Sequence, residues 1–496
     1  MPLRKHASSK KKVASLLEKK TLLSVIIFSL ILIPLMVSLY HYLKPVPQGI
    51  SVKGERHETS DFQFLYDLTY ENAKGEVEYE QEISDYIYHM IAEAEDFIVA
   101  DMFLFNDDYD HTNPDLDFPT LANDLAELLI QKKRKSPEVD IVFITDPINT
   151  FYGTYMPETI DQMKDAGIEV IITDLEPLRD SNPIYSGFSR AYLNWFDTSE
   201  SSYLPNAFRA QGPKVNVLSY LNLLHFKANH RKTIMTEREG LITSANPHDA
   251  SAYHSNVAYV MQGPFLNDLL ASERAVAEMS GFDTALFDSF QIKSKSAETN
   301  EAYTVQLLTE QKIKTSLLES INLAQSTDMI KIGMFYISDR DIIAALLEAE
   351  RREVNIQLIL DINEDAFGVK KIGIPNRPVA DELIKGNSSI DIRWYQSHGE
   401  QFHTKFLLYE TKEEVTMIGG STNFTRRNLQ DYNLETNVRI SGAKGQPGIE
   451  DMLQYFDRIW ENEGGTYTVD YSEHAEATVW KDWLYHIQEW SGLSTF

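Results

Sequence analysis

The feature that most constrains this chain is a short polar motif that occurs twice. Each copy begins with a histidine and a lysine separated by one residue, and an acidic residue follows five positions after the lysine. A Ser-x-Asn sequence comes next in both copies. One His-x-Lys pair arises easily by chance, whereas two copies in the same order indicate a duplicated site. The first copy contains His230, Lys232, Glu237, Ser244 and Asn246, and the second contains His403, Lys405, Glu410, Ser421 and Asn423.

The spacing of each His-x-Lys pair suits phosphate chemistry. His403 and Lys405 lie in an apolar, alternating run, which predicts a strand. Residues i and i+2 of a strand share a face, so the imidazole and the ammonium should lie side by side. Imidazole can attack phosphorus or carry a proton near neutral pH. Lysine supplies a point charge for phosphate oxygens.

A second repeat predicts an α/β fold with two similar halves. Residues 96–107 and 328–339 align without gaps and agree at Asp, Ile, Met, Phe and Asp. In both halves these blocks follow an amphipathic, helix-like segment, and further strand-like and helix-like segments alternate after them. Alternating strands and helices indicate α/β layers, and the internal repeat indicates two related units.

The duplicated motif resembles that of the phospholipase D superfamily, whose signature is His-x-Lys-x4-Asp followed by Gly-Ser-x-Asn, present twice. The resemblance covers residues 62–465. It implies two similar α/β sandwich halves packed around a pseudo-twofold axis, with one shared active site. The chain departs from the pattern at Glu237 and Glu410, where Asp is usual, and at Thr243, where Gly is usual. The first half-site is therefore less standard, and an inactive relative with the same fold is an alternative.

The resemblance also implies a role for each residue of the motif. One histidine attacks phosphorus to form a phosphohistidine, and the other protonates the leaving oxygen and then activates water or an alcohol. By the family pattern His230 is the nucleophile and His403 the acid and base. Lys232, Lys405, Asn246 and Asn423 would hold phosphate oxygens, Ser244 and Ser421 would bond within the site, and Glu237, Glu410 and Glu435 would support it.

Glu435 matches the downstream carboxylate that is expected to orient a catalytic histidine. At the same offset from Ser244 the first copy has Ala258, and Asn256 then matches Asn433. The two half-sites are therefore expected to differ at this position.

Neither a metal nor a cofactor is predicted. Phosphodiester cleavage needs a nucleophile, a proton donor and positive charge around phosphorus, and two histidines with two lysines supply all three. No spacing of His, Asp and Glu forms a convincing metal cage. Cysteine is absent, so disulfides and thiol nucleophiles are excluded.

The charge is distributed unevenly along the chain. Residues 1–44 contain 8 of the 46 basic groups and 1 of the 74 acidic groups, which leaves a formal charge of −35 for the remainder. A body this acidic argues against broad nucleic-acid binding, which needs a basic surface.

Residues 21–43 predict a transmembrane helix, because they contain no Lys, Arg, Asp or Glu. A helix of this length spans a bilayer. The basic tail, residues 1–20, predicts a cytoplasmic N-terminus and an extracytoplasmic body at the cell membrane. The alternative is a cleaved signal peptide, but the apolar run is long for one and no small-x-small site follows it.

The remaining segments complete the predicted organisation. Residues 44–62 form a linker, 63–290 the first half, 291–465 the second half and 466–496 an amphipathic C-terminal tail. One helical face of the tail is predicted to dock on the core, with membrane contact as the alternative. An insertion in the first half forms either a lip over an apolar substrate or a loop with its own small core. The tail face comprises Trp480, Trp483, Leu484, Ile487 and Trp490, and the insertion contains Tyr185, Phe188, Tyr192, Trp195 and Phe196.

Together these features predict a membrane-anchored phosphodiesterase or phosphatidyltransferase that acts on membrane phospholipids, similar to phospholipase D or cardiolipin synthase. The alternatives are a nuclease of the same superfamily and a catalytically weak membrane scaffold. The sequence does not predict the oligomeric state.

Overall fold

A computed structural model describes residues 3–109, 111, 113, 117–195, 202–209, 211–293, 303–366, 369–386, 388–476 and 478–494. It shows a mixed α/β protein with two large sheets and a long N-terminal helix. Phe196 of the predicted aromatic insertion lies outside the described residues. The helices are α1 Leu3–Leu43, α2 Ile83–Glu93, α3 Leu121–Lys135, α4 Glu158–Asp165, α5 Pro183–Phe188, α6 Val217–Leu223, α7 Phe265–Met279, α8 Gln311–Leu323, α9 Arg340–Arg351, α10 Asn376–Ile384, α11 Arg426–Leu429, α12 Pro447–Glu461 and α13 Val479–Ser491.

The strands alternate with these helices along both halves. They are β1 His57–Thr59, β2 Phe62–Asn72, β3 Val77–Glu80, β4 Phe97–Met102, β5 Asp140–Thr145, β6 Glu169–Ile172, β7 Lys232–Thr236, β8 Glu239–Thr243, β9 Asn256–Gln262, β10 Tyr303–Thr309, β11 Met329–Met334, β12 Asn355–Asp361, β13 Asp365–Ala366, β14 Val369–Lys370, β15 Asp391–Tyr395, β16 Lys405–Glu410, β17 Glu414–Gly420, β18 Thr436–Ala443, β19 Gly465–Thr466 and β20 Thr468–Asp470.

The two large sheets share one plan at their centres. The first has the order β19-β2-β9-β8-β7-β4-β5-β6, with β3 paired to β2, and the second has β1-β10-β18-β17-β16-β11-β12-β15-β20. In each, three neighbouring strands are parallel (β4, β5, β6 and β11, β12, β15), and the His-x-Lys strand pairs antiparallel with the first of them. The predicted α/β fold with two similar halves is therefore confirmed.

Local sequence explains why these elements form where they do. Every residue of β4 is buried, as expected for a central strand covered on both faces. Helix α9 begins after Asp339, whose carboxylate accepts hydrogen bonds from the N–H groups of Asp341 and Ile342. Helix α12 begins at Pro447 and ends before Asn462, which adopts φ 58° in the left-handed region.

The halves exchange strands at their edges. Strand β1 comes from the predicted linker but pairs with β10 in the second sheet, with His57 opposite Val305. Strand β19 lies at the end of the second half but pairs with β2 of the first sheet. Between the sheets, buried rings from both halves pack together, including Phe64 and Tyr455 with ring centroids 5.4 Å apart.

Helix α1 contains a stretch, Leu17–Leu43, that is long and apolar enough to cross a membrane by length and composition. Most side chains of this stretch are exposed. One face, which includes Pro34 and Ser38, packs against α5 and the π-helical turn Ser189–Leu193 of the first-half insertion.

The prediction that the tryptophan face of the tail docks on the core is wrong. Trp480, Trp483 and Trp490 are exposed on α13, whereas Tyr485 and Glu489 are buried. These two make specific contacts with the body: the Tyr485 hydroxyl accepts from Arg340 at 2.9 Å, and Glu489 accepts from Ser338 at 2.9 Å. Leu484 alone of the predicted face packs partly against the core.

Candidate active site

The histidine of each motif lies immediately before the strand that begins with the lysine of the same motif. His230 precedes β7, which starts at Lys232, and His403 precedes β16, which starts at Lys405. The sequence predicts that the strand includes the histidine. Instead, the His230 N–H bonds to the carbonyl of Leu434, in the other half, at 2.9 Å.

The two halves contact each other reciprocally at these segments. Asn229, just before His230, forms a bridge with Leu434 of the second half. Phe402, just before His403, forms the corresponding bridge with Ser255 of the first half. The motif of each half is thus held by backbone from the other half.

In both motifs the lysine side chain bonds to the backbone of the histidine two residues earlier. The ammonium of Lys232 donates to the carbonyl of His230 at 2.8 Å, and that of Lys405 donates to the carbonyl of His403 at 2.6 Å. Both ammonium groups also face an aromatic ring, at 4.8 Å from the Phe103 centroid and 5.4 Å from that of Phe335. A cation over a ring face is stabilised by the ring quadrupole.

A buried carboxylate supports the backbone before each histidine. Asp146 accepts the N–H of Asn229 at 2.6 Å, and Asp361 accepts the N–H of Phe402 at 2.8 Å. Both aspartates stand at the C-terminal ends of the corresponding strands β5 and β12. Burial raises the pKa of Asp146 to about 7 and that of Asp361 to about 6, although backbone hydrogen bonds oppose the rise.

Glu435 orients His230 across the boundary between the halves. A carboxylate oxygen of Glu435 lies 2.9 Å from Nδ1 of His230. The same carboxylate accepts hydrogen bonds from the Ser421 hydroxyl and the Asn428 amide. Burial opposes ionisation of Glu435, but His230 and Lys232 outweigh it and hold the pKa of this carboxyl below its usual value. Glu435 is therefore an ionised, fully paired partner for the imidazole.

Asn256 occupies the equivalent position beside His403. Its amide oxygen lies 3.1 Å from Nδ1 of His403 and accepts from the Ser244 hydroxyl at 3.0 Å. The next residue in each half, Val257 or Thr436, accepts the N–H of the motif serine through its carbonyl. Asn256 is thus the structural counterpart of Glu435.

The predicted alignment of Asn256 with Asn433, and of Ala258 with Glu435, is therefore wrong. The loop from Ser244 to Asn256 spans 12 positions, whereas that from Ser421 to Glu435 spans 14. A two-residue difference in loop length shifts the apparent match by two positions.

Arg231 links the first motif to the support of Glu435. Its guanidinium is fully buried and donates to Glu310 at 2.8 Å. The same carboxylate oxygen of Glu310 accepts the N–H of Glu435 at 3.1 Å. The residue between His230 and Lys232 therefore helps to position the carboxylate that contacts His230.

Burial controls the electrostatics of the histidines. It lowers the pKa of His230 to about 4, an effect that Glu435 opposes and Lys232 reinforces. Burial, together with the charges of Lys405 and His254, holds the pKa of His403 well below its usual value. Both imidazoles are therefore neutral near pH 7.

The lysines are affected in the same direction. Burial lowers the pKa of Lys232 to about 7, although Glu435 and Asp101 oppose the change. Burial and the charge of Lys232 hold the pKa of Lys405 well below its usual value. Cations brought together in this way favour an anion, which would restore their charged forms.

The two Ser-x-Asn asparagines are buried near these groups. The side-chain oxygen of Asn246 accepts the N–H of Leu104 at 3.4 Å. The side-chain oxygen of Asn423 is buried without a hydrogen-bond partner among the described residues. Such an amide has capacity left for a ligand.

Glu237 and Glu410 do not join the histidines. Each lies at the far end of its strand from the motif, directly after β7 or as the last residue of β16. Glu237 accepts the N–H of Glu95 at 3.1 Å, and Glu410 pairs with Lys331 and Lys444.

Sequence reasoning missed several residues that contact the site. Phe103 and Phe335 occupy the same position of the repeated blocks 96–107 and 328–339. This agreement is the feature of the sequence that could have placed both rings at the site. His254 is buried with its ring centroid 5.8 Å from that of His403, and no sequence pattern indicated this. Over the described ranges, no group of three or more His, Asp or Glu is placed to hold a metal ion.

Comparisons with known proteins agree with the fold. Residues 317–460 match the family described as "Cardiolipin synthase, PLD-like domain". A search of curated protein sequences found no match. Among solved structures, phosphatidylserine synthase from Haemophilus influenzae Rd KW20 aligns with a TM-score of 0.53 and 9% identity, over 89% of this chain and 96% of that chain.

Two further structures align with lower TM-scores. Polyphosphate kinase from Porphyromonas gingivalis has a TM-score of 0.43 at 12% identity, over 84% of this chain and 49% of its own. The phospholipase D family member Nuc from Salmonella typhimurium has a TM-score of 0.26 at 22% identity, over 33% of this chain and 97% of its own. Residues 317–460 thus resemble a PLD-like domain, and the chain shares its fold with phosphatidylserine synthase, in agreement with the resemblance to the phospholipase D superfamily that the duplicated motif indicates.

Proposed function

We propose that the protein is a membrane-anchored phosphodiesterase or phosphatidyltransferase that acts on phospholipids through a phosphohistidine. The observation that carries this proposal is the asymmetric support of the two histidines. His230 is paired with the carboxylate of Glu435, whereas His403 is paired with the amide of Asn256. Two imidazoles with different partners suit two different tasks in one reaction.

His230 is the proposed nucleophile. Glu435 accepts a hydrogen bond from Nδ1–H, so the proton stays on Nδ1 and the lone pair of Nε2 is free to attack phosphorus. The P–N bond forms as the bond from phosphorus to the leaving alkoxide breaks. The carboxylate also stabilises the positive charge that the imidazole gains when Nε2 is phosphorylated.

His403 is the proposed acid and base. His403 is neutral in the free site, but a bound phosphodiester anion favours its protonated form, and the resulting imidazolium donates its proton to the leaving alkoxide. In the second step it takes a proton from water or from an acceptor alcohol, whose oxygen attacks phosphorus while the P–N bond to His230 breaks. Because Asn256 offers only a neutral amide, the imidazolium of His403 is less stabilised than that of His230 and gives up its proton more readily.

The remaining motif residues are proposed to hold the phosphoryl group. Lys232 and Lys405 supply positive charge to the equatorial oxygens, and Asn246 and Asn423 supply amide groups. The serines act indirectly, because their hydroxyls hold Asn256 and Glu435.

Phospholipid is the proposed substrate class, for two reasons. The matched family and the structural neighbour of TM-score 0.53 both carry the names of phospholipid synthases. The candidate span in α1 would hold the site beside the membrane, with residues 1–20 cytoplasmic and the body extracytoplasmic, which raises the local concentration of lipid headgroups.

The test uses the full-length chain in mixed vesicles of phosphatidylglycerol and phosphatidylethanolamine, with lipid products read by mass. The variants are His230→Ala and His403→Ala, and the control is His89→Ala, an exposed histidine of α2. Phosphatidic acid that depends on both motif histidines would indicate hydrolysis, and cardiolipin would indicate transfer. Unchanged lipid with histidine-dependent cleavage of single-stranded nucleic acid would replace this proposal with the nuclease. No turnover of either substrate would leave the non-catalytic scaffold.

A further inference from the structure

Residues 183–195, in the insertion of the first half, supply a hydrogen-bond donor to a carbonyl of α1 that has no helical partner. Pro34 lies inside α1 and has no N–H, so the carbonyl of Leu30, four residues earlier, loses its helical partner. The hydroxyl of Tyr192 donates to this carbonyl at 2.8 Å. Inside a bilayer no water could do so, and an unpaired carbonyl there is strongly unfavourable. The Tyr192 hydroxyl therefore pairs a carbonyl of α1 that would otherwise lack a hydrogen-bond partner inside a membrane.

A glycine allows the insertion to approach α1 closely. A Cβ atom on Gly187 would lie 1.9 Å from the Ser38 hydroxyl and 2.5 Å from the Pro34 carbonyl oxygen. The Ser38 hydroxyl in turn donates to the carbonyl of Pro183 at 2.6 Å. Small residues at the crossing point and hydrogen bonds from serine are characteristic of helix pairs within membranes.

These contacts lie at the depth of the hydrocarbon core if α1 spans the membrane. The core is about 30 Å thick, or about 20 helical residues, and must fall within the charge-free residues 21–43. For any such placement, Pro34 lies about 9–14 Å and Leu30 about 15–20 Å inside the boundary nearer the body. Half of the core is about 15 Å thick, so Pro34 lies in the leaflet on the side of the body and Leu30 lies at or just beyond the midplane. The segment that contacts them must therefore extend through most of that leaflet.

The surface of the insertion is suited to lipid. Ile184 is 70% exposed, Phe188 49% and Trp195 81%. Arg190 is the only ionisable side chain other than tyrosine between residues 183 and 195. Its guanidinium pairs with Asp180 at 2.9 Å and with Glu176, so its charge is compensated.

The exposed tryptophans of α13 continue this surface. The C-terminal end of α13 abuts the start of the insertion, where a Cβ on Gly492 would lie 2.1 Å from the carbonyl oxygen of Ser181. Trp483 is 64% exposed and Trp490 73% exposed. Tryptophan is enriched where one side of a ring meets lipid and the other meets headgroups.

The insertion is also fastened to the segment that leads to His230. The ammonium of Lys227 pairs with Asp180 at 2.7 Å, and the Ser186 hydroxyl lies 2.9 Å from Nδ1 of His225. If the insertion is bound in the membrane, these contacts fix the distance between residues 225–227, which precede His230, and the membrane surface.

We infer that residues 183–195 enter the leaflet on the side of the body and pack against α1 there, and that the tryptophan face of α13 lies beside them in the membrane interface. The partner of this surface is the lipid bilayer. The inference rests on the proposed anchoring by α1 and adds a second membrane-embedded element to it.

The test measures membrane depth at single introduced cysteines, which is possible because the chain has none. Full-length variants Ile184→Cys, Phe188→Cys and Trp490→Cys carry a bimane label and are reconstituted in phosphatidylglycerol vesicles with or without brominated acyl chains. Leu35→Cys, on the exposed face of α1, is the control for the anchor. Lys412→Cys, in the exposed turn between β16 and β17, is the aqueous control.

The expected result is a blue-shifted bimane emission at residues 184 and 188 and a loss of emission in brominated lipid, as at residue 35. The label at residue 490 should show a smaller loss, and the label at residue 412 none. If residue 35 is quenched while 184 and 188 behave like 412, the anchor stands and the inference is overturned. If residue 35 is not quenched, the proposed anchoring fails, and the inference fails with it.

Discussion

Glu435 lies 2.9 Å from Nδ1 of His230, although the two residues come from different halves of the chain. The other histidine has an amide at the equivalent position, so the two halves are alike in fold but different in charge at their shared site. This one difference separates the behaviour expected of the two histidines, and the first two predictions depend on it.

Replacing Glu435 with glutamine should remove the negative charge beside His230 and keep the size and shape of the side chain. We expect Glu435→Gln to lower turnover by about 10²–10⁴-fold, because the imidazole of His230 loses the anion that stabilises its positively charged form. Initial rates of phosphatidic acid or cardiolipin formation measure this. A loss of less than fivefold would contradict the assignment.

Replacing either histidine should have different effects on the covalent intermediate. With His403→Ala and a substrate whose leaving group needs no protonation, the adduct on His230 should accumulate, since the first step then proceeds without His403 and the group that activates the second attack is missing. With His230→Ala, no adduct should form. Quenching within the first turnover with denaturant at alkaline pH, followed by peptide mass analysis under alkaline conditions, detects phosphohistidine, whose P–N bond is labile in acid. An adduct on His403 in the His230→Ala variant would reverse the two roles.

Binding of an oxyanion should depend on pH with a defined sign. In the free site the pKa of His230 is about 4 and that of Lys232 about 7, both lowered by burial. A bound dianion favours the protonated forms, so it raises these pKa values and binding takes up protons. We therefore expect the affinity for tungstate to increase as the pH falls.

Calorimetry in buffers with different ionisation heats measures this proton uptake. The variant Lys232→Met should bind tungstate more weakly and take up fewer protons. Affinity that is independent of pH, or proton release on binding, would contradict the described electrostatics.

Glu237, the acidic residue of the first motif, should contribute to the stability of the fold and not to catalysis. Glu237 is buried and accepts backbone hydrogen bonds from Glu95 and Asp96, away from the histidines. We expect Glu237→Gln to reduce the free energy of unfolding by about 1–3 kcal/mol and to leave turnover per folded molecule unchanged. Thermal unfolding and initial rates on the same preparation separate the two effects. An unfolding curve identical to that of the parent chain, with reduced turnover, would contradict this.

The segment before the first half should stabilise the second. The N–H of Ser51 donates to Glu310 at 2.6 Å, and β1 pairs with β10. A chain that begins at residue 45 keeps these contacts, whereas a chain that begins at residue 63 loses them. The shorter chain should therefore unfold at a lower denaturant concentration. Equal midpoints for both chains would show that β1 contributes nothing.

Part of this architecture follows directly from the sequence. The strands β4 and β11 and the helices before them are predicted because apolar runs and amphipathic periodicity are local properties. The motif histidines and lysines are predicted because their spacing is repeated. Asn256 is missed because loop length between Ser244 and the next strand changes its offset, and only the packed structure reveals its equivalence with Glu435.

The tail shows a second limit of sequence reasoning. Periodicity indicates that Trp480, Trp483 and Trp490 share one face of a helix. It does not indicate whether protein or lipid covers that face. Here Tyr485 and Glu489 find specific partners in the body, and their contacts turn the tryptophans outward.

The exchange of edge strands between the sheets has a consequence for how the chain is made. Residues 57–59 leave the ribosome early, but β10, their partner, starts at Tyr303. At about 5–20 residues per second, that partner arrives roughly 12–50 s later. Strand β19, which completes the edge of the first sheet beside β2, is synthesised only after helix α12 of the second half. Neither sheet is complete before residues 465–470 have been synthesised, so the two sheets around the candidate site are completed only after both halves of the chain have been made.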